Sequence, residues 1–266
     1  MNLIAITNSR FSGCVWPFRA ALWAIFLHFF IHNCPAETNS VSDRKSFIVF
    51  AEKTLLAARA NHHRAPTNAE ATWQLGRACF DRAEFATDDS ERAKLAVEGI
   101  EVMRKLVVTK PDLAAAHFYL AMNLGQLART KLLGALTLVD EMEKEFKLAR
   151  QLDEHFEFAG PDRNLGQLYL QAPGWPASIG NRFKARKHLE RAVELAPGFP
   201  ENHLNLLEAF CEWKDQKGIR RELKVLDEIW SAARTNFTGE VWASYWADWE
   251  KRRAHLQTSA AAKLAR

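Results

Sequence analysis

Apolar positions recur at helical spacing along most of this chain, and four short segments repeat one pattern. They are TWQLGRACF (72–80), FYLAMNLG (118–125), RNLGQLYL (163–170) and LNLLEAF (204–210). Leu75, Leu120, Leu165 and Leu206 align, at spacings of 45, 45 and 41 residues, and Gly76, Ala121 and Gly166 follow three of them. Each segment is succeeded by a second amphipathic stretch, and three of these close alike: RKLVVTKPD (104–112), FKLARQLDE (146–154) and ERAVELAPG (190–198). Two helices per unit, repeated, predict an all-α solenoid in which each unit buries its apolar face against its neighbours. The predicted units span 69–113, 114–158, 159–199 and 200–233, the last with a weak second helix at 219–233.

Signals between the segments agree. Asp88, with Glu91 three residues on, has capping-box spacing, and TKPD and LAPGFPE stop helices with Pro and Gly. Residues 42–60 read as an amphipathic N-terminal capping helix inside a segment 37–68, with NHHRAPTN (61–68) as its connector. Trp242, Trp246 and Trp249 share one helix face, so 234–256 is expected to cap the open end, and 257–266 to fray.

These residues resemble the tetratricopeptide (TPR) repeats. Leu165, Gly166 and Tyr169, then Ala185, Leu189, Ala192 and Pro197, match the repeat position by position. The other units match more loosely: Gly99 stands where an alanine belongs, and Glu154 replaces the closing proline. The units exceed the usual TPR length of ~34 residues, with the excess expected between paired helices; a HEAT-type solenoid, with longer units, is the other reading. Three longer runs, 79–99, 117–146 and 160–209, are similar to the T component of tripartite ATP-independent periplasmic (TRAP) transporters. That resemblance implies a periplasmic partner of a substrate-binding protein that holds or passes a small apolar ligand.

The amino terminus reads as a targeting segment. Arg10 and Arg19 precede the apolar run ALWAIFLHFFI (20–31), and CPAE follows, the layout of a secretory signal spanning 1–36 and cleaved after Ala36. That makes the chain exported and periplasmic; a membrane anchor at 14–34 and lipidation at Cys34 are the alternatives, and membrane contact is expected only through an uncleaved leader. The net charge of +4 is too mild for a dedicated nucleic-acid binder. Cys79 and Cys211 sit in apolar helical stretches and read as buried thiols. His62-His63 and the glycines at 174 and 180 fit neither a metal site nor a phosphate cradle, so no metal, cofactor or catalytic residue is expected.

Binding is better supported. In a helix-pair solenoid the first helices line the inner face, and positions two before and two after each aligned leucine give Trp73, Arg77, Phe118, Met122, Arg163, Gln167 and Glu208 as candidate contacts. Core packing is the competing reading for Trp73 and Phe118. APGWPASIG (172–180) is an insertion between the helices of the third unit, where Pro173 and Pro176 restrict Trp175. Trp175 is either a binding residue or a plug against Tyr169 or Phe183. The expected function is an exported, non-enzymatic scaffold for a protein partner, or a TRAP-associated carrier of an apolar ligand, with self-association a further reading.

Overall fold

Ten helices and no strand make up residues 39–131 and 134–264, which the computed structural model describes. The leader and the anchor alternative lie outside them. Helix α1 (Asn39–Arg64) leads four antiparallel pairs. These are α2 (Ala69–Glu84) with α3 (Asp89–Thr109), α4 (Ala114–Arg129) with α5 (Ala135–Leu152), α6 (Phe156–Gln171) with α7 (Arg182–Leu195), and α8 (Pro200–Trp213) with α9 (Gln216–Asn236). Helix α10 (Glu240–Leu264) ends the stack. Each pair packs internally and onto the next, the order a solenoid requires.

The aligned leucines are the spine of the core: Leu75, Leu120, Leu165 and Leu206 are 3%, 2%, 0% and 1% exposed. The residue after each sets how closely the paired helix approaches. A Cβ on Gly166 would lie 2.6 Å from Leu189 Cγ and 3.1 Å from the Leu189 backbone nitrogen, and one on Gly76 would lie 2.7 Å from Met103 Sδ. Gly99 has a different reason. Its missing Cβ leaves room for the buried Asn123 amide, which donates to the carbonyls of Gly76 (2.9 Å) and Tyr119 (2.7 Å) and so ties the first unit to the second.

A buried acid–histidine contact joins the two helices of units two, three and four at one recurring position, three residues before the aligned leucine. His117 Nδ1 lies 2.6 Å from Glu145 on α5, and His203 Nδ1 lies 2.8 Å from Glu222 on α9. In the third unit the roles are exchanged, with Asp162 on α6 2.6 Å from His188 on α7. The other ring nitrogen donates to the carbonyl of the proline that closes the preceding unit, Pro111 for His117 and Pro197 for His203. One side chain thus fastens three chain segments.

Several boundaries differ from the sequence reading. Helix α1 runs on to Arg64, through the first half of the expected connector, and α9 is a full helix of 21 residues. The insertion between paired helices is long only at 172–181; the first two units place their extra residues in second helices of 21 and 18 residues. The expected frayed tail continues α10, with Leu256 and Ala260 in the core, because that face packs on α8. Asp88 caps α3 as its spacing predicts, accepting from Glu91 N, while Glu91 reaches back to Thr87 N. Cys79 and Cys211 are buried free thiols; burial pushes Cys79 up to about 12 and Cys211 upward. No helix among the described residues is long and apolar enough to cross a membrane.

Candidate functional site: the inner face of the helical stack

The inner face is built by α2, α4 and α8 together with the start of α6, where the backbone does something unusual. Glu157, Phe158 and Ala159 all hold left-handed conformations, with φ of 49°, 56° and 62°. Each costs a residue with a Cβ about 1–2 kcal/mol, so three in succession persist only if held from outside. Arg163 does this: its Nη1 donates to the carbonyls of Glu157 (3.2 Å) and Phe158 (3.1 Å) and to Asn202 Oδ1 (3.1 Å). Asn202 in turn donates to the carbonyl of Phe158 at 3.1 Å. The turn throws Glu157 and Phe158 to opposite ends of the face.

Glu157 gathers a polar network. Tyr119 Oη donates to it at 2.7 Å, and Arg77 Nη1 lies 3.1 Å away, with Asp81 3.6 Å from the same guanidinium. Partial burial, with Glu157 and Glu84 nearby, pushes the Asp81 carboxyl up to about 6, against the pull of Arg77. Burial and Glu157 also carry the Tyr119 phenol well above its ordinary range. Trp73 stacks on Tyr119 (5.7 Å between ring centroids) and meets Phe156 edge-on. At the other end Phe158 stacks on Phe199 at 4.6 Å and meets Phe237 and Trp242 edge-on, opening an aromatic cluster that continues to Trp249 and Trp246.

Helix α10 closes this face. It packs chiefly on α8, less on α9, and reaches back to α1. Arg252 makes a two-pronged ion pair with Glu208 (2.9 and 3.0 Å), adds Asn205, and lies 3.4 Å from Asp248. Burial raises the Tyr245 phenol, helped by the charges of Asp81 and Glu201 around it. A side chain of the last helix therefore shares an electrostatic neighbourhood with Arg77 and Asp81 on the first repeat.

The sequence-derived candidates fall into three groups. Trp73, Arg77, Met122 and Glu208 are half-buried, with Arg77 and Glu208 already paired as described. Phe118 is a correction: it lies in the core against Tyr119, Phe146 and Phe156, because the position two before the leucine turns toward the next unit. Arg163 and Gln167 are buried too, Arg163 as the clamp and Gln167 accepting from Gln171 at 2.9 Å. Trp175 stands apart on the insertion, 89% exposed, and Phe183 is 77% exposed, so the plug reading is set aside. Asp81, Tyr119, Glu157, Asn205 and Tyr245 were missed; only tertiary packing and the left-handed turn bring them together.

A cleft of 370 Å³ opens on the second-helix side, lined by Arg150, Phe183, Lys187 and Arg191 among others. Its arginines are engaged, Arg150 with Asp162 at 2.9 Å and Arg191 with Glu154 at 3.0 Å, so it is no ready anion site. Among the described residues no group of three or more His, Cys, Asp or Glu side chains is arranged to hold a metal.

The family described as Regulator of microtubule dynamics protein 1-3 matches residues 40–159, helices α1 to α5 and the start of α6. No curated protein matches the chain. Among solved structures, a thermophilic TPR protein of Thermus thermophilus is similar, with a TM-score of 0.55 at 16% identity over 81% of this chain and 91% of that one. The buried leucine register, the paired helices and this likeness give the chain a TPR-like, all-α helical-repeat fold.

Proposed function

We propose that this chain is a non-enzymatic scaffold that binds a protein partner through its inner face, in competition with its own C-terminal helix. The observation that carries the reading is the bonding of Arg252 to Glu208 and Asn205, with Tyr245 of the same helix in the electrostatic neighbourhood of Arg77 and Asp81. A face that holds an aromatic and cationic helix in cis has the chemistry to hold a similar segment in trans. The test is chemical crosslinking with affinity capture of the full chain, comparing Arg77→Ala/Glu208→Ala with Trp175→Ala. The inner-face variant is expected to lose its partner and the loop variant to keep it. Equal capture by both would end the proposal.

The match over 40–159 favours a second reading, in which the partner belongs to microtubules, tested by co-sedimentation with polymerised tubulin. The resemblance of the runs around the 172–180 insertion supports the TRAP-associated reading, with export by the 1–36 leader and carriage of an apolar ligand. Lipid-like mass on the purified chain in native mass spectrometry is its expected signature.

A further inference from the structure

The insertion at 172–181 is a built platform. Gly180 N donates to the Pro173 carbonyl (2.8 Å), Ala177 N and Ser178 N both donate to Gly174 O (3.1 and 3.4 Å), and Asn181 N donates to Tyr169 O (2.9 Å). Pro173 and Pro176 have no N–H to satisfy. These hydrogen bonds fold the tip around Trp175 back on itself. On it Trp175 is 89% exposed, and Phe183 follows at 77% on the first turn of α7. Trp175 projects from the tip, and Phe183 stands at the rim of the cleft described above.

Along the sequence around them the charge has one sign, while Asp162, Glu190 and Glu194 line the cleft beside Phe183. Between Asp162 and Glu190 the chain has no acidic residue, but it has Arg182, Lys184, Arg186 and Lys187 at the start of α7. A helix N-terminus is stabilised by acids and opposed by cations, and here the first turn holds no acid. Asn181 caps Lys184 N, which satisfies one backbone donor and leaves the local charge positive. Arg186 is held by Asp215 at 2.8 Å. Arg182 and Lys184 instead lie over the rings of Trp213 and Tyr169, with Glu143 feeling the charge of Lys184.

Two exposed aromatics at a hydrogen-bonded tip, beside a cluster of cations, match the surface of an anionic bilayer: rings at headgroup depth, cations on phosphates. We infer that the Trp175 insertion and the first turns of α7 dock this chain on anionic phospholipid membranes. Membrane contact then extends beyond the leader, to which the sequence alone confines it.

Hydroxyl-radical footprinting of the full chain, read by mass spectrometry at single side chains, tests it without interference from attachment elsewhere. With phosphatidylserine-containing vesicles, oxidation of Trp175 and Phe183 is expected to fall about tenfold, against little change with phosphatidylcholine alone. In Trp175→Ala the protection of Phe183 should be lost, and Lys184→Glu/Lys187→Glu should abolish the dependence on anionic lipid. Unchanged oxidation of both rings on anionic vesicles overturns the proposal. So does equal protection by polyglutamate without lipid, which would assign the face to an acidic protein. Both rings are exposed, so thermal midpoints equal to the parent's are expected and show that the variants fold.

Discussion

At the scale of single residues, the half-buried polar groups are the informative ones. Asp81 is the clearest case, because its folded pKa of about 6 lies above the ordinary value of 3.8. Between about pH 4 and pH 6 the folded chain therefore holds more protons than the unfolded one. The stability this group contributes is full below pH 4 and lost as pH rises through 6. Urea midpoints across this window should decline with pH in the parent, and that part of the decline should vanish in Asp81→Asn; parallel profiles would rule the assignment out. The inner-face residues were only partly legible in the sequence for a related reason. Arg77 and Glu208 followed from the leucine register, whereas Glu157 and Tyr245 did not. Glu157 depends on a left-handed turn that no local signal announces, since none of 157–159 is Gly or Asn, and Tyr245 depends on where a distant helix comes to rest.

At the scale of the helix, small residues decide the packing, and the pattern was readable because packing imposes it at a fixed register. Gly166→Ala would press a methyl onto Leu189 at the crossing of α6 and α7. We expect a loss of about 1–3 kcal/mol in denaturant unfolding, whereas Gly198→Ala, with nothing within 4 Å of its added Cβ, should be close to neutral. Equal effects would remove close helix approach as the reason for Gly166. Helix lengths were less legible than helix existence. Residues 257–264 carry only Leu264 among large apolar side chains and read as a tail, but small residues such as Ala260 suit a close crossing. The acid–histidine contacts were hidden for another reason: the acid and the histidine exchange helices between units, so no single-position alignment exposes them.

At the scale of the whole molecule, α10 is both lid and cap. It covers the aromatic cluster of α8 and α9 and lies near Cys211, whose thiol feels the charge of Lys263. A chain ending at Phe237 is expected to expose Cys211 to alkylation at least about tenfold faster than the full chain, while Cys79, buried between α1 and α3, is affected less. Unchanged labelling of Cys211 would show that α10 contributes no cover. The reach of α10 back to α1 also bears on how this polypeptide is made. Helix α1 leaves the ribosome among the first of the described elements, yet one of its neighbours is among the last to be translated. The surroundings of α1 are completed only once α10 has been synthesised, and a chain halted before α10 would leave that side of α1 uncovered.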